Sequence, residues 1–125
     1  MRGGGPLEWK LSDDRPIWLQ LSQQLARRIL VGAYPPGSRL PSVRELAAEA
    51  GVNPNTMQRA LAQLEQEGLA KADRTAGRLV TQDTSILDAA RRAEAGVIVN
   101  QYFDAMAELG FSRREAVELL REEPQ

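Results

Sequence analysis

The chain has 125 residues, a formal net charge of −1, and neither cysteine nor histidine. This composition excludes disulfides and thiol chemistry, and it removes the commonest acid–base catalyst and the commonest zinc ligand. No apolar run approaches the length of a membrane span and no signal peptide is visible, so we expect a cytoplasmic protein with no membrane partner, no metal, no cofactor and no catalytic residues.

Residues 1–14 are predicted to form an N-terminal arm that leads into a first helix. Trp9 is the large apolar side chain of this arm, and such a residue is more typical of a packing anchor than of a ligand site. Asp13 or Asp14 is the expected N-cap, although Pro16 lies close to that boundary. The arm therefore joins a domain that begins near residue 15.

The first predicted helix covers residues 16–31 and is amphipathic. Its apolar positions recur every four residues and are expected to face the core: Ile17, Leu21, Leu25 and Ile29. Trp18 lies beside this stripe. Arg27 and Arg28 are expected to lie in solvent.

Two further helices meet at a tight turn. Ser42 and Glu45 form a capping box that opens the first of them, and Gly51 supplies its stop. Asn53 is the N-cap of the next helix, and Pro54 occupies the first helical position, where its missing amide costs nothing. The buried stripe of that helix is predicted to be Met57, Ala60, Leu61 and Leu64.

The opposite face of this helix is polar. It carries Asn55 and Arg59, with Thr56 and Gln58 on its flanks, and Ala62 leaves room for close approach. Asn and Gln can pair with adenine, and Arg with guanine or phosphate, in the major groove of DNA. One polar face alone is more typical of a solvated helix, but the short preceding helix, the tight turn and the following hairpin together favour a helix-turn-helix.

A short hairpin is predicted after Gly68. Residues 69–73 and 78–81 are the extended runs, and residues 74–77 are the polar link. A hairpin of this kind can act as a wing that reaches phosphates or the minor groove, and the alternative is a solvated tip whose charges serve solubility. Its cationic side chains are Lys71, Arg74 and Arg78.

The C-terminal part, residues 84–125, is predicted to contain two helices. The first, over about residues 86–109, is preceded by an N-terminal signature of Ser85 or Thr84 with Asp88 and is apolar on several sides. The second opens with a capping box at Ser112. Such surface needs more than one packing partner, and we favour a second copy of the chain over packing onto the N-terminal domain. The expected dimerisation residues are Val97, Ile98, Tyr102, Phe103, Met106, Leu109 and Leu120.

The stretches LPSVRELA, GVNPNTMQRAL and EGLA, in this order and spacing, resemble the DNA-binding domain of the GntR family of bacterial transcriptional regulators. The resemblance covers about residues 15–83, and the VNPNT sequence with the short C-terminal segment is most similar to the YtrA-like subfamily. It implies a mainly α fold, a winged helix-turn-helix of three helices plus a hairpin wing, followed by the two-helix dimerisation segment.

The resemblance also implies which side chains touch DNA. They are the arginine of the S-x-R-E-L stretch and polar residues early in the recognition helix, here Arg44, Asn53, Asn55, Thr56, Gln58 and Arg59. In the wing, only the second glycine of the usual G-x-G-T-[FY]-V pattern is present, at Gly77.

We therefore expect a homodimeric regulator, a repressor by resemblance, that binds a pseudo-palindromic DNA operator. A protein-interaction module without DNA binding is the alternative, in which Arg44, Asn55 and Arg59 would be idle. An enzyme is not expected: another branch of the family carries an aminotransferase-like domain, for which this chain has neither the room nor a catalytic constellation. No small-molecule effector pocket is expected within one subunit.

Overall fold

The structure is a computed structural model that describes residues 8–122. In chain order the elements are α1 (Ile17–Leu30), α2 (Val43–Ala50), α3 (Pro54–Gln66), β1 (Ala70–Asp73), β2 (Gly77–Val80), α4 (Thr84–Glu108) and α5 (Arg113–Glu122). They divide into two compact units, the first ending at Asp88 and the second beginning at Ala89. The predicted mainly α fold with a hairpin wing is confirmed.

The core of the first unit lies where α1 and α2 pack against α3. Its fully or nearly fully buried side chains are Leu21, Leu25, Ala26, Ile29, Leu46, Ala47, Met57, Ala60, Leu61 and Leu64. The four predicted inward positions of α3 are all among them. Ile17, at the start of α1, is only half-buried.

The helix-turn-helix is fixed by local hydrogen bonds that the sequence predicts. The Ser42 hydroxyl accepts from the Glu45 amide at 3.1 Å, and the Glu45 carboxylate accepts from the Ser42 amide at 2.8 Å. Gly51 ends α2 with a φ of 71°, a left-handed conformation that glycine adopts without strain. Asn53 then caps α3, its side-chain oxygen accepting from the Asn55 amide at 2.7 Å.

The wing is the antiparallel pair of β1 and β2. Ala70 lies opposite Val80, and Asp73 lies opposite Gly77. Gly77 is thus the first residue of β2, with a φ of 87°, and not part of the predicted loop. The Asp73 carboxylate closes the turn, because one of its oxygens accepts from the Thr75 amide and hydroxyl and from the Ala76 amide, each at 2.9 Å.

A third segment, residues 37–40, runs beside β2. The Gly37 amide donates to the Val80 carbonyl and the Leu40 amide to the Arg78 carbonyl, both at 2.9 Å. The wing is therefore bonded to the chain that enters α2, and its base is held by the same segment that positions the helix-turn-helix.

Residues 8–14 of the N-terminal arm, the part of it that the structure describes, are bound along α1 by two glutamine side chains. The Gln24 amide accepts from the backbone N–H of Lys10 at 2.9 Å and donates to its carbonyl at 2.6 Å. One turn earlier, Gln20 makes the same pair of bonds to Ser12, each at 2.9 Å. The predicted N-cap at Asp13 or Asp14 is wrong: Pro16 holds that position, and no side chain caps α1.

Arg28 contradicts the prediction that it lies in solvent. Its side chain is only 1% exposed, with the guanidinium 4.1 Å from the centroid of the Trp9 ring. Its Nη1 donates to the Tyr34 hydroxyl at 2.7 Å, and its Nη2 lies 2.8 Å from a Glu49 carboxylate oxygen. The same oxygen accepts from the Trp9 indole N–H at 2.7 Å. The cluster thus joins the arm, α1, the turn after α1 and α2.

In the second unit, α5 packs against α4 through aromatic side chains. The Tyr102 hydroxyl donates to the Ala116 carbonyl at 2.5 Å, and Ala116 is fully buried. The Phe103 ring lies edge-on to Tyr102 and under the Arg113 guanidinium at 4.1 Å. The predicted capping box at Ser112 is present, with Glu115 as its partner.

The start of α4 differs from its prediction. The helix begins at Thr84, and Asp83 precedes it with a carboxylate that accepts from both the amide and the hydroxyl of Ser85. The predicted role of Thr84 or Ser85 as first cap is therefore taken by the residue before them.

Candidate nucleic-acid interface

The solvent face of α3 is polar at its N-terminal end. Asn55, Gln58 and Arg59 are exposed, and Thr56, predicted on the flank of this face, is half-buried. No acidic residue occurs in α3 before Glu65. The first two turns of α3 therefore offer amide and guanidinium donors without nearby carboxylates of the same helix.

Asn53 lies at the same end of α3 but is already engaged. Its side-chain oxygen accepts from the Asn55 amide, so this side chain would contact a ligand mainly through its two N–H donors. The residue predicted as a DNA contact is thus also the N-cap, and its orientation is fixed by the helix that it begins.

Arg59 is stacked on an aromatic ring of another helix. Its guanidinium carbon lies 4.2 Å from the centroid of Trp18, in the first turn of α1. This distance is well within the range of cation–π interactions. The sequence placed Trp18 beside the apolar stripe of α1, and nothing in a single sequence pairs it with Arg59.

Arg44 is exposed in the first turn of α2, as predicted. Arg39, which the sequence analysis did not select, is exposed just before α2 and pairs by a backbone bridge with Leu79 of the wing. The backbone and hydroxyl of Ser42 hydrogen-bond to the Glu45 carboxylate and, with a smaller contribution from the Arg39 charge, hold its pKa below the usual value. A cation three residues before the N-cap of a capping box is the signal that could have identified Arg39.

The three cationic side chains of the wing have different surroundings. Lys71 and Arg74 are exposed. Arg78 is only 19% exposed, and its Nε donates to a Glu65 carboxylate oxygen at 3.0 Å, which ties the wing to the last turn of α3. Arg78 is thus already paired with a carboxylate, unlike the phosphate-facing cation that the sequence predicts.

The residues predicted for dimerisation fall into two groups. Val97, Ile98, Leu109 and Leu120 are 50%, 53%, 74% and 58% exposed, which is high for large apolar side chains. Tyr102 and Phe103 are half-exposed and contact α5 of the same chain, and Met106 is also half-exposed. The side chains of the first group are therefore largely exposed within this unit.

Residues 8–122 contain neither a candidate metal site nor a candidate membrane span. No three acidic side chains in this range come close enough to hold a metal ion. None of the helices in the same range has both the length and the apolar character needed to cross a membrane.

Comparison with known proteins agrees with this geometry. The family model described as bacterial regulatory proteins, gntR family, matches residues 18–80, which run from Trp18 through α3 to the end of β2. The HTH-type transcriptional regulator YhcF of Bacillus subtilis is 31% identical over 109 residues, covering 87% of this chain and 90% of YhcF. The HTH-type transcriptional repressor YtrA of the same organism is 41% identical over 68 residues, covering 54% of this chain and 52% of YtrA.

A solved structure has the same fold over nearly the whole chain. A GntR family transcriptional regulator from Listeria monocytogenes superposes with a TM-score of 0.80 at 29% identity, covering 91% of this chain and all of that one. These relatives are regulators of transcription and not enzymes. The chain belongs to the GntR family of DNA-binding bacterial transcriptional regulators, with YtrA among its relatives.

Proposed function

We propose that the chain is a homodimeric repressor that binds a pseudo-palindromic operator with α3 in the major groove. The observation that carries this proposal is the polar N-terminal face of α3, where Asn55, Gln58 and Arg59 are exposed together. Similarity to the repressor YtrA supports the direction of regulation. Binding to the chromosome would place the protein in the cytoplasm.

Within this interface the residues are assigned by chemistry. Arg59 and Asn55 read bases, because arginine can pair bidentately with guanine and asparagine with adenine. Lys71 and Arg74 contact phosphate, because they are exposed on a wing and carry single charges that neutralise the backbone. Arg44 lies at the start of α2 and can contact either. The remaining proposed contacts are Asn53, Thr56, Gln58 and Gly77, whereas Arg78 is paired with Glu65.

The net charge of −1 makes local placement of cations important. Without an overall positive field, nonspecific affinity should be modest, and most discrimination must come from base contacts. Each good bidentate pair contributes about 1–3 kcal/mol of discrimination against the wrong base.

The experiment first selects an operator from a random duplex library with the full chain. Affinity is then measured by fluorescence anisotropy for the operator and for single-base variants, at several salt concentrations. We expect Arg59→Ala to flatten the base preference at one operator position. Lys71→Ala should weaken binding to all duplexes equally and reduce the slope of log affinity against log salt concentration by about one. Arg121→Ala is the charge-matched control, because Arg121 pairs with Glu118 on its own helix in the second unit.

Two results would count against this assignment. If Arg59→Ala weakened binding equally to every single-base variant of the operator, Arg59 would be a phosphate contact and not a base reader. Failure to enrich any duplex would favour a winged helix that serves protein interaction without DNA binding.

The dimer is proposed from the exposed apolar residues of the second unit, since helix-turn-helix regulators commonly present two half-site readers. Ile98→Glu should dissociate the dimer, because a charge on an apolar interface is costly. Asn100→Glu adds the same charge about half a helical turn away from Ile98 and is the control. Light scattering of both variants after size-exclusion chromatography tests the proposal. If Ile98→Glu is still a dimer, the interface does not include Ile98.

An effector pocket within one subunit is not part of this proposal. A depression of about 460 Å³ on the second unit is lined by residues of α5 alone, Arg113, Arg114, Val117, Glu118 and Arg121. Ligand sites are concave and use walls from several directions to bury most of a drug-sized molecule. A metabolite bound once per monomer with micromolar affinity in calorimetry, and releasing DNA, would contradict this expectation.

A further inference from the structure

Resting on the proposed function, we propose that Trp18 positions the Arg59 guanidinium for base reading and is therefore a specificity-determining residue of the DNA interface. Trp18 belongs to α1, outside the helix-turn-helix, and no direct contact with DNA is required of it. The two side chains meet across the packing of α1 against α3, with the guanidinium carbon 4.2 Å from the ring centroid.

The surroundings of Arg59 differ from those of Arg28 and Arg78. Arg28 and Arg78 each have a carboxylate at 2.8–3.0 Å, so their charges are paired within the chain. Among residues 8–122, the stacking on Trp18 is the interaction that Arg59 makes. Its position is therefore defined by a ring face, while its charge stays available to an external acceptor.

Stacking suits bidentate recognition because of the shape of the guanidinium. The group is planar, and its five N–H donors point outward in that plane. A ring on one face restrains the plane and leaves its N–H edge open. Pairing with guanine O6 and N7 requires two donors in one plane at a fixed orientation, which a freely rotating arginine must first adopt at an entropic cost.

If the Trp18 ring instead competed with DNA for Arg59, the expected change in affinity would have the opposite sign. If Arg59 had to leave Trp18 in order to reach DNA, the ring would compete with the operator and its removal would raise affinity. A positioning ring has the reverse effect, because its removal leaves the arginine to be ordered only on binding. The sign of the change in affinity on replacing Trp18 therefore decides between the two.

The experiment uses the full chain and its selected operator, with Trp18→Leu, Trp18→Phe, Arg59→Ala and the double variant Trp18→Leu/Arg59→Ala. We expect Trp18→Leu to lower operator affinity about two- to fivefold, the factor that corresponds to a cation–π contact at a partly exposed site. The loss should concentrate at the base position where Arg59→Ala flattens the preference. When Arg59→Ala is already present, adding Trp18→Leu should not lower operator affinity further. The single variant Trp18→Phe should keep most of the base preference of the wild type.

Trp9→Leu is the matched control, because Trp9 also lies against an arginine, but that arginine, Arg28, is buried and paired with Glu49. It should lower thermal stability without changing base preference. If Trp18→Leu does not fold, Trp18→Phe and Trp18→Met carry the comparison, and Phe should keep the preference that Met loses.

Higher affinity in Trp18→Leu, or an equal loss in the Arg59→Ala background, overturns the inference while the proposed function stands. Failure of the proposed function looks different: wild-type protein then enriches no operator, or Arg59→Ala leaves the preference at every base unchanged, and the inference falls with it.

Discussion

The surroundings of each arginine determine its role in this chain. Arg28 is buried and joins its own helix to three other segments of the chain, whereas Arg59 is stacked with its donors open. Arg78 ties the wing to α3. The cationic count of a sequence therefore overstates the charge that is available to DNA.

Removing the partner of Arg78 should change DNA binding. Glu65→Gln takes a negative charge from the ion pair and leaves the Arg78 guanidinium free to neutralise a phosphate. We expect tighter binding to any duplex and a salt slope steeper by about one unit, measured by anisotropy between low and physiological salt. Glu67→Gln is the control, because Glu67 is exposed, contacts Gln63 and carries the same charge. Equal effects of the two variants would mean that only net charge matters.

The Glu49 carboxylate should contribute strongly to stability. It accepts from both Trp9 and Arg28, and Arg28 is buried. Glu49→Ala should lower the free energy of unfolding by about 1.5–3 kcal/mol, the value of a hydrogen bond to a charged group. Urea denaturation followed by tryptophan fluorescence and circular dichroism measures it.

The comparison for Glu49→Ala is Glu118→Ala, which breaks the pair with Arg121. Both partners of that pair are largely exposed, so its loss should cost about 0–1 kcal/mol. A cost for Glu49→Ala no larger than this would indicate that hydration compensates for the lost carboxylate.

At the scale of elements, the features that the sequence predicts are those formed between near neighbours in the chain. The capping boxes at Ser42 and Ser112 and the Asn53 cap depend on residues two or three positions apart, and all three are present. The cluster around Arg28 was missed because its hydrogen bond from Trp9 to Glu49 joins residues 40 positions apart. Nothing in the spacing of a single sequence encodes such a pairing.

In the candidate site, too, local features could be predicted from the sequence and pairings between separate elements could not. The polar face of α3 follows from helical periodicity, so its exposed residues could be predicted. The stacking of Arg59 on Trp18 and the pairing of Arg78 with Glu65 depend on how separate elements pack, and these pairings give the same cations different chemical roles.

The turn of the wing should respond to acid. Hydrogen bonds from the Ala76 amide, and then from Thr75, lower the pKa of Asp73 below its ordinary value. A carboxylate whose pKa is lower in the folded state stabilises the fold above its unfolded pKa, and this contribution is lost as the pH falls through the folded pKa. We therefore expect the amide proton shifts of Thr75 and Ala76 in NMR spectra to titrate with a midpoint below that of an unperturbed aspartate.

Asp73→Asn is the control for the turn. The asparagine oxygen can accept the same bonds but does not ionise, so the titration should disappear while the turn remains. A midpoint at or above the ordinary aspartate value would show that the hydrogen bonds do not persist in solution.

At the scale of the whole chain, the boundary between the compact units has a practical consequence. The sequence predicts a domain boundary between residues 83 and 84, but Leu87 is only 7% exposed and belongs to the unit that ends at Asp88. Ile86 also lies within van der Waals reach of a side chain placed at Gly68. The first turn of α4 is therefore part of the core of the DNA-binding unit.

Two truncations should behave differently for this reason. A fragment ending at Asp88 should fold, stay monomeric and bind the operator much more weakly than the full chain, because the two tethered half-site contacts of the proposed dimer become one. A fragment ending at Asp83 should in addition be less stable by about 1.5–3 kcal/mol, the value of burying one leucine side chain. Thermal melts and anisotropy measure both, and equal melting of the two fragments would place Leu87 outside the cooperative unit.

The glutamine bonds that hold the arm have a consequence for how α1 tolerates mutation. Half of this helix is buried, and its buried set includes Gln20, Ser22 and Arg28 beside the apolar residues. In a saturation-mutagenesis map, Gln20 and Arg28 should reject nearly every replacement, as Leu21 and Leu25 do. Because Arg28 lies on the same helix face as Leu21 and Leu25, the tolerance profile of α1 would keep a 3.6-residue period while including positions that hydropathy marks as polar. A design method that freely redraws polar helix positions would therefore fail on this helix.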